Sequence, residues 1–176
     1  MIDLNEKRAG IISVATRMFD EITSIPTSIR TDTKVRKGIK VLVRQPGTRN
    51  LVLISIKEPS EAAQFFAVEK AVRSHIYFEN ASQNSEDASI MQFAGSVTVG
   101  MYHFYGHTDS PYSLQASVSG LKAEEDVTVA IAVITEILKE SNATMKNVAD
   151  VISEDGGQLP YCFYDKDHYL HTYFVS

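Results

Sequence analysis

Glu69, Lys70 and Arg73 are the residues whose types and spacing most invite chemistry. In the stretch that holds them, Phe65, Val72 and Ile76 define the apolar face of a helix, and at 100° per residue Glu69 falls between them. A carboxylate on a core face is costly without a partner, and Arg73, four residues on, lies within ion-pair reach. Such a pair at the floor of a pocket, with Lys70 or Arg73 turned towards a bound anion, makes a candidate ligand site. The same groups could serve a small-metabolite enzyme, with Glu69 as acid–base and Lys70 or Arg73 as the anion holder. The plainer reading is a structural salt bridge at the edge of the core.

A second candidate lies at Ser119-Gly120, just ahead of a helix. Glycine lets a ligand approach the backbone, and the free N–H groups of a helix start favour anions. The acids Glu124, Glu125 and Asp126 already occupy that first turn, however, and a role as turn and cap fits better. His103 and His107 stand four apart in an expected strand and so share a face, which makes them a candidate pair of nitrogen ligands for a metal. His168 and His171, three apart in an expected hairpin, point to opposite faces. His75 is a further axial-ligand candidate, and surface or turn histidines are the alternative throughout. The single cysteine, Cys162, has no CxxC partner and reads as a small buried apolar side chain. No P-loop, HExxH or GxSxG motif occurs.

The elements that must position these groups follow from periodicity. Ile11, Val14, Ala15, Met18, Phe19 and Ile22 recur at three- and four-residue spacing, which predicts a helix over about Glu6–Glu21, followed by a polar loop around Pro26. Gly38–Arg44 and Leu51–Lys57 alternate about a Pro46-Gly47 turn and predict an antiparallel hairpin. Ser60 is placed to cap a helix over Glu61–Tyr77. Phe78–Ile90, rich in Asn, Ser and acids, reads as a loop. Ser96–Gly106 and Tyr112–Ser119 predict a second hairpin. A third long helix spans about Ala123–Ser141, with Val129 and Val133 on its outer flank as an oligomer contact. A short helix over Ala143–Ile152 and a terminal hairpin, Tyr161–Tyr164 with His168–Val175, complete the chain.

These segregated strands and helices predict an α+β fold, an antiparallel sheet packed by helices, in one domain over 1–176 with a core of about 5–141 and a C-terminal extension over 142–176. At 176 residues and 44% apolar content the chain can bury a substantial core. A net charge of −5 gives no basic stripe to displace counterions from phosphates, so no nucleic acid is expected as partner. Without a leader-like or membrane-length apolar run, the expectation is a soluble, cytoplasmic protein with no membrane partner.

Several of these residues, taken in order, resemble the GlcG/HbpS-like family, whose domain also forms the C-terminal part of PduO-type adenosyltransferases. The matching features are the hairpin turn at Pro46-Gly47, Glu69-Lys70-Ala71 on a helix, and Val118-Ser119-Gly120 before the acidic start Glu124-Glu125-Asp126; they agree over about Glu6–Glu140. The sequence departs from the family pattern in having Gln45-Pro46-Gly47-Thr48 for an Asp-Gly-Gly turn, a longer Tyr102–Tyr112 connection, and a tail after Asn142 with no counterpart. The resemblance implies a profilin-like or PAS-like fold, self-association, and a small ligand, in some members haem or a related tetrapyrrole. No haem ligand carries over residue by residue. The functional expectation is an oligomeric small-ligand-binding protein, with the small-metabolite enzyme and a structural assembly protein as alternatives.

Overall fold

The structure, a computed structural model, describes residues 2–76, 95–105, 112–155 and 159–175. Its centre is a four-stranded antiparallel sheet in the order β2-β1-β4-β3, built from β1 (Gly38–Arg44), β2 (Leu51–Lys57), β3 (Ser96–Gly100) and β4 (Ser113–Ser119). The register sets Val41 opposite both Ile54 and Val118, and Val97 opposite Ala116. Side chains alternate across a strand, so Ile39, Val41 and Val43, with Val52, Ile54 and Ile56, Val97 and Val99, and Leu114, Ala116 and Val118, form one buried apolar face.

Two helices cover that face. The first, α1 (Leu4–Thr23), is started by Asp3, whose side chain accepts from the Asn5 and Glu6 N–H groups, and it buries Ile11, Ala15, Met18 and Ile22. It is followed by one helical turn, α2 (Thr27–Arg30). The other covering helix is α5 (Ala123–Ile137). Every residue from Glu125 to Ile134 is buried, because α5 lies between the sheet, α1 and the later helix α6 (Met145–Glu154). Val129 and Val133 therefore sit in the core at 0% exposure and are not an outer flank.

The opposite sheet face mixes Leu42 with the polar Arg44, Gln115 and Ser117 and is covered by α3 (Glu61–Ile76), capped by Ser60 accepting from the Ala63 N–H. Here the expected orientation fails. Phe65 and Val72 are exposed, as are Phe66 and Val68, while Ala63, Ala67, Lys70 and Ala71 face inward. The Ile76 and His75 side chains lie outside the described set, as do Phe78–Ile90, His107 and Gly156-Gly157. The cause is the sheet: its α3-facing side chains include Arg44, Gln115 and Ser117, which seek hydrogen bonds rather than apolar cover. Ser117 donates to the Ala67 carbonyl at 2.6 Å, and Arg44 and Gln115 each donate to the Ala71 carbonyl at 3.0 Å. Only methyl-sized side chains let a helix backbone come that close.

Two further expectations are corrected. The second hairpin's first strand stops at Gly100, and α4 (Tyr102–Tyr105) follows, so His103 is on a helical turn and not on a strand. The terminal hairpin is replaced by 3-10 turns at Tyr161–Phe163 and His171–Phe174, with no strand among the described residues there. These turns bring Cys162, Leu170 and Phe174 into the same core as the sheet. No helix among the described residues is long and apolar enough to cross a membrane.

Candidate functional site

Charged side chains from four separate parts of the chain converge where β4 runs into α5. The link is Ser119-Gly120: Gly120 has φ 136°, a left-handed value, and a Cβ there would strike the Gly38 carbonyl, so glycine is required for the chain to turn off β4. Three acids follow, and two of them bend back onto the turn. The Glu125 carboxylate accepts from the Lys122 N–H at 3.2 Å and Asp126 from the Leu121 N–H at 3.0 Å. Two of the N–H groups at the turn, those of Leu121 and Lys122, are thus taken by carboxylates of the helix's own first turn.

Glu125 is fully buried and receives Arg30 in a two-pronged pair, Nε to Oε2 at 2.8 Å and an Nη to Oε1 at 2.7 Å, with the Tyr169 hydroxyl donating at 2.8 Å. Burial alone would raise its pKa, yet the hydrogen bonds from Arg30 and Tyr169 hold it below the usual carboxylate range. The hydrogen bond to Glu125 raises Arg30 in turn. Arg30 also reaches Asp32 at 3.3 Å, and Asp32 takes Arg36 at 2.8 Å; that Arg36 bond lowers Asp32. Arg36 ends the chain by donating to the Gly120 carbonyl at 3.3 Å.

Asp126 is the other buried acid. Its carboxylate lies 3.5 Å from Lys70 Nζ, which also donates to the Val118 carbonyl at 3.3 Å. These contacts are long, and burial dominates, pushing Asp126 up to about 7. Gly95, at φ 113°, closes over the pair: a Cβ there would strike the Val118 carbonyl and come within 3.0 Å of Asp126 and 3.2 Å of Lys70 Nζ.

At the solvent rim, Glu124 Oε1 lies 3.3 Å from Lys122 and 3.6 Å from His168 Nε2, while His168 Nδ1 accepts from the Leu170 N–H at 3.1 Å. The acceptor role at Nδ1 leaves the ring proton on Nε2, on the side of the carboxylate. A cleft of about 330 Å³ opens there, with walls that include Thr31, Lys122, Glu124, Asp165 and Tyr169.

The structure thus brings Lys70, Ser119 and Gly120 to one place and leaves Glu69, Arg73 and His103 elsewhere, while His107 lies outside the described residues. Glu69 and Arg73 do form the expected ion pair, at 2.7 Å, but it lies on the outer, partly exposed side of α3. Lys70 turns the other way, to Asp126. His103 is held by both carboxylate oxygens of Asp155 at 3.1 Å. Cys162 is buried, and burial pushes its thiol up to about 12. No group of three or more His, Cys, Asp or Glu among the described residues could hold a metal ion. Sequence reasoning missed Arg30, Glu125 and Asp126. The available signal was Val127–Ile134, apolar all round: a helix buried on every side takes its first-turn acids inside with it. No family model, curated protein or solved structure matches the chain.

Proposed function

We propose that this chain is a self-associating, small-ligand-binding domain without catalytic function, of the GlcG/HbpS-like kind, with a profilin-like or PAS-like arrangement of its sheet and helices. The observation that carries the reading is the orientation of α3. A helix that turns alanines to its own sheet and Phe65, Phe66, Val68 and Val72 to solvent has its larger apolar surface free for another body. Leu51 and Leu53, exposed on the edge strand β2, extend the apolar character beside it. A second copy is the occupant that the charges favour. Glu61 stands at the start of α3 and Arg73 near its end, so two α3 helices packed antiparallel set acid against base at both ends.

The ligand is a small molecule held by apolar and charged contacts, with Arg73 as the cation on α3's outer side, since Lys70 is buried against Asp126. His103 and His168 do not suit an axial bond to haem iron, since their Nε2 atoms face Asp155 and Glu124; His171, with Nδ1 3.1 Å from the Cys162 carbonyl, is the described histidine whose Nε2 could still take that role. The enzyme alternative keeps only its Glu69 and Arg73 arm, because Lys70 points away from Glu69.

Native mass spectrometry of the purified chain tests the proposal by reporting copy number and retained ligand together. Dimers or larger species are expected, reverting in Val72→Glu to monomers that keep their folded circular dichroism spectrum. A wild-type chain that stays monomeric and empty at micromolar concentration overturns it. Haem titration followed by absorbance checks the ligand separately, and a tight Soret shift would point to haem.

A further inference from the structure

A second cleft, of about 480 Å³, shares Tyr169 with the rim just described and lies between the C-terminal end of α1 and the turns around Tyr169–Tyr173. It is lined by Asp20, Glu21, Ser24, Ile25, Thr172 and the two tyrosines Tyr169 and Tyr173. We propose that this cleft binds an organic ammonium ion.

Three independent features favour a positive ligand. The lining contains carboxylates and no Lys or Arg. The cleft opens at the C-terminal end of a 20-residue helix, the negative end of its dipole, and the last turn of that helix carries no basic residue. Its walls include two tyrosines whose hydroxyls donate to carboxylates, Tyr173 to Glu21 and Tyr169 to Glu125, each at 2.8 Å. Those bonds fix the hydroxyl ends of the rings and leave aromatic surface to face a cation. The molecule already uses one of these rings in this way: Lys122 Nζ stands 5.9 Å from the centroid of Tyr169.

The chemistry also selects among cations. Asp20 meets Lys57 at 2.7 Å and Glu21 meets Arg17 at 3.5 Å, both in exposed pairs. A hard inorganic ion would have to strip these carboxylates of their partners. An alkylammonium gains from the tyrosine faces and Ile25 as well, so it needs only the outer field of the carboxylates. Choline is therefore the natural probe, and 3,3-dimethylbutanol, the same shape without the charge, is its control.

Amide shifts followed by two-dimensional NMR on the full chain test the idea. Choline is expected to move the Ser24, Ile25, Thr172 and Tyr173 amides with saturation, and the neutral isostere to leave them in place. Tyr173→Leu and Glu21→Gln should each weaken the choline response about three- to fivefold, the scale of one exposed cation–aromatic contact. Glu21 is surface-exposed, so Glu21→Gln carries the test if Tyr173→Leu does not fold. Equal shifts from the isostere, no shift at about 50 mM choline, far above the millimolar range of such contacts, or an unchanged response in Glu21→Gln overturns the proposal.

Discussion

Asp126→Asn should flatten part of the chain's stability-versus-pH profile. The carboxyl titrates near 7 in the folded protein against 3.8 as a free side chain. Between those values the folded state holds a proton that the unfolded state has released, so Asp126's contribution is fully present below the lower value and is lost as pH rises through the upper one. At about 1.4 kcal/mol per pKa unit the whole loss is about 4 kcal/mol, and more than half of it falls between about pH 5 and pH 7.5. Asparagine keeps an oxygen for the Leu121 N–H but has no proton to lose. It also leaves Lys70 with the Val118 carbonyl alone, an offset that is constant wherever Lys70 stays charged. Urea unfolding of wild type and variant across this window isolates the difference. Wild type should lose about 2 to 3 kcal/mol relative to the variant on going from about pH 5 to pH 7.5. A constant difference would mean that Lys70 compensates the buried carboxylate fully, and the argument that burial dominates would fall.

Glu125→Gln leaves Arg30 buried without its main counter-charge and should cost about 3–5 kcal/mol by denaturant titration, well beyond the effect of Glu69→Gln on the exposed pair. Glu125 and Asp32 are both held low, so the stability they supply is present above about pH 4 and disappears below it. Acid unfolding should therefore set in at higher pH when Arg36→Ala frees Asp32. Gly95→Ala, forced into a left-handed backbone against the Val118 carbonyl, should lower the melting temperature by several degrees and disturb Lys70 and Asp126 together. Cys162 should resist a thiol reagent at about pH 8 in the folded chain and react promptly in denaturant, because burial keeps the thiol protonated.

The parts of the fold that were legible in the sequence are those where apolar side chains do the packing. Alternation in Gly38–Arg44 and Leu51–Lys57 located both strands and their pairing, and the stripe from Ile11 to Ile22 located α1. The α3 orientation was not legible, because its inward partners are alanines, which carry little hydrophobic signal, and a sheet face whose Arg44, Gln115 and Ser117 read as solvent-facing. Polar residues on alternate positions of β4 mean water in most sheets; here they mean hydrogen bonds to helix carbonyls. The candidate site was half legible for a related reason. Lys70, Ser119 and Gly120 were noticed singly, but their common location depends on Asp126 and on the loop that carries Arg30, and a wheel of one helix shows neither. The C-terminal turns were misread as strands because Tyr and Phe favour strands when nothing else is known, whereas the core pulls Cys162, Leu170 and Phe174 inward one at a time.

The alanine face of α3 leaves a question of alignment. Ala63, Ala67 and Ala71 repeat every four residues, close to one helical turn, and their carbonyls present the same acceptor at each step. A helix displaced by one turn along the sheet would offer Ser117 the Ala63 or Ala71 carbonyl in place of Ala67, with similar bonds and similar fit. Hydrogen bonding and shape alone therefore permit several settings, like a rack with evenly spaced teeth. Lys70 is the inward residue that breaks the repeat, and only one setting brings it to Asp126. The buried ion pair, weak as a source of stability, acts as the key that selects where α3 comes to rest, and so fixes where along the sheet its outward phenylalanines and valines stand.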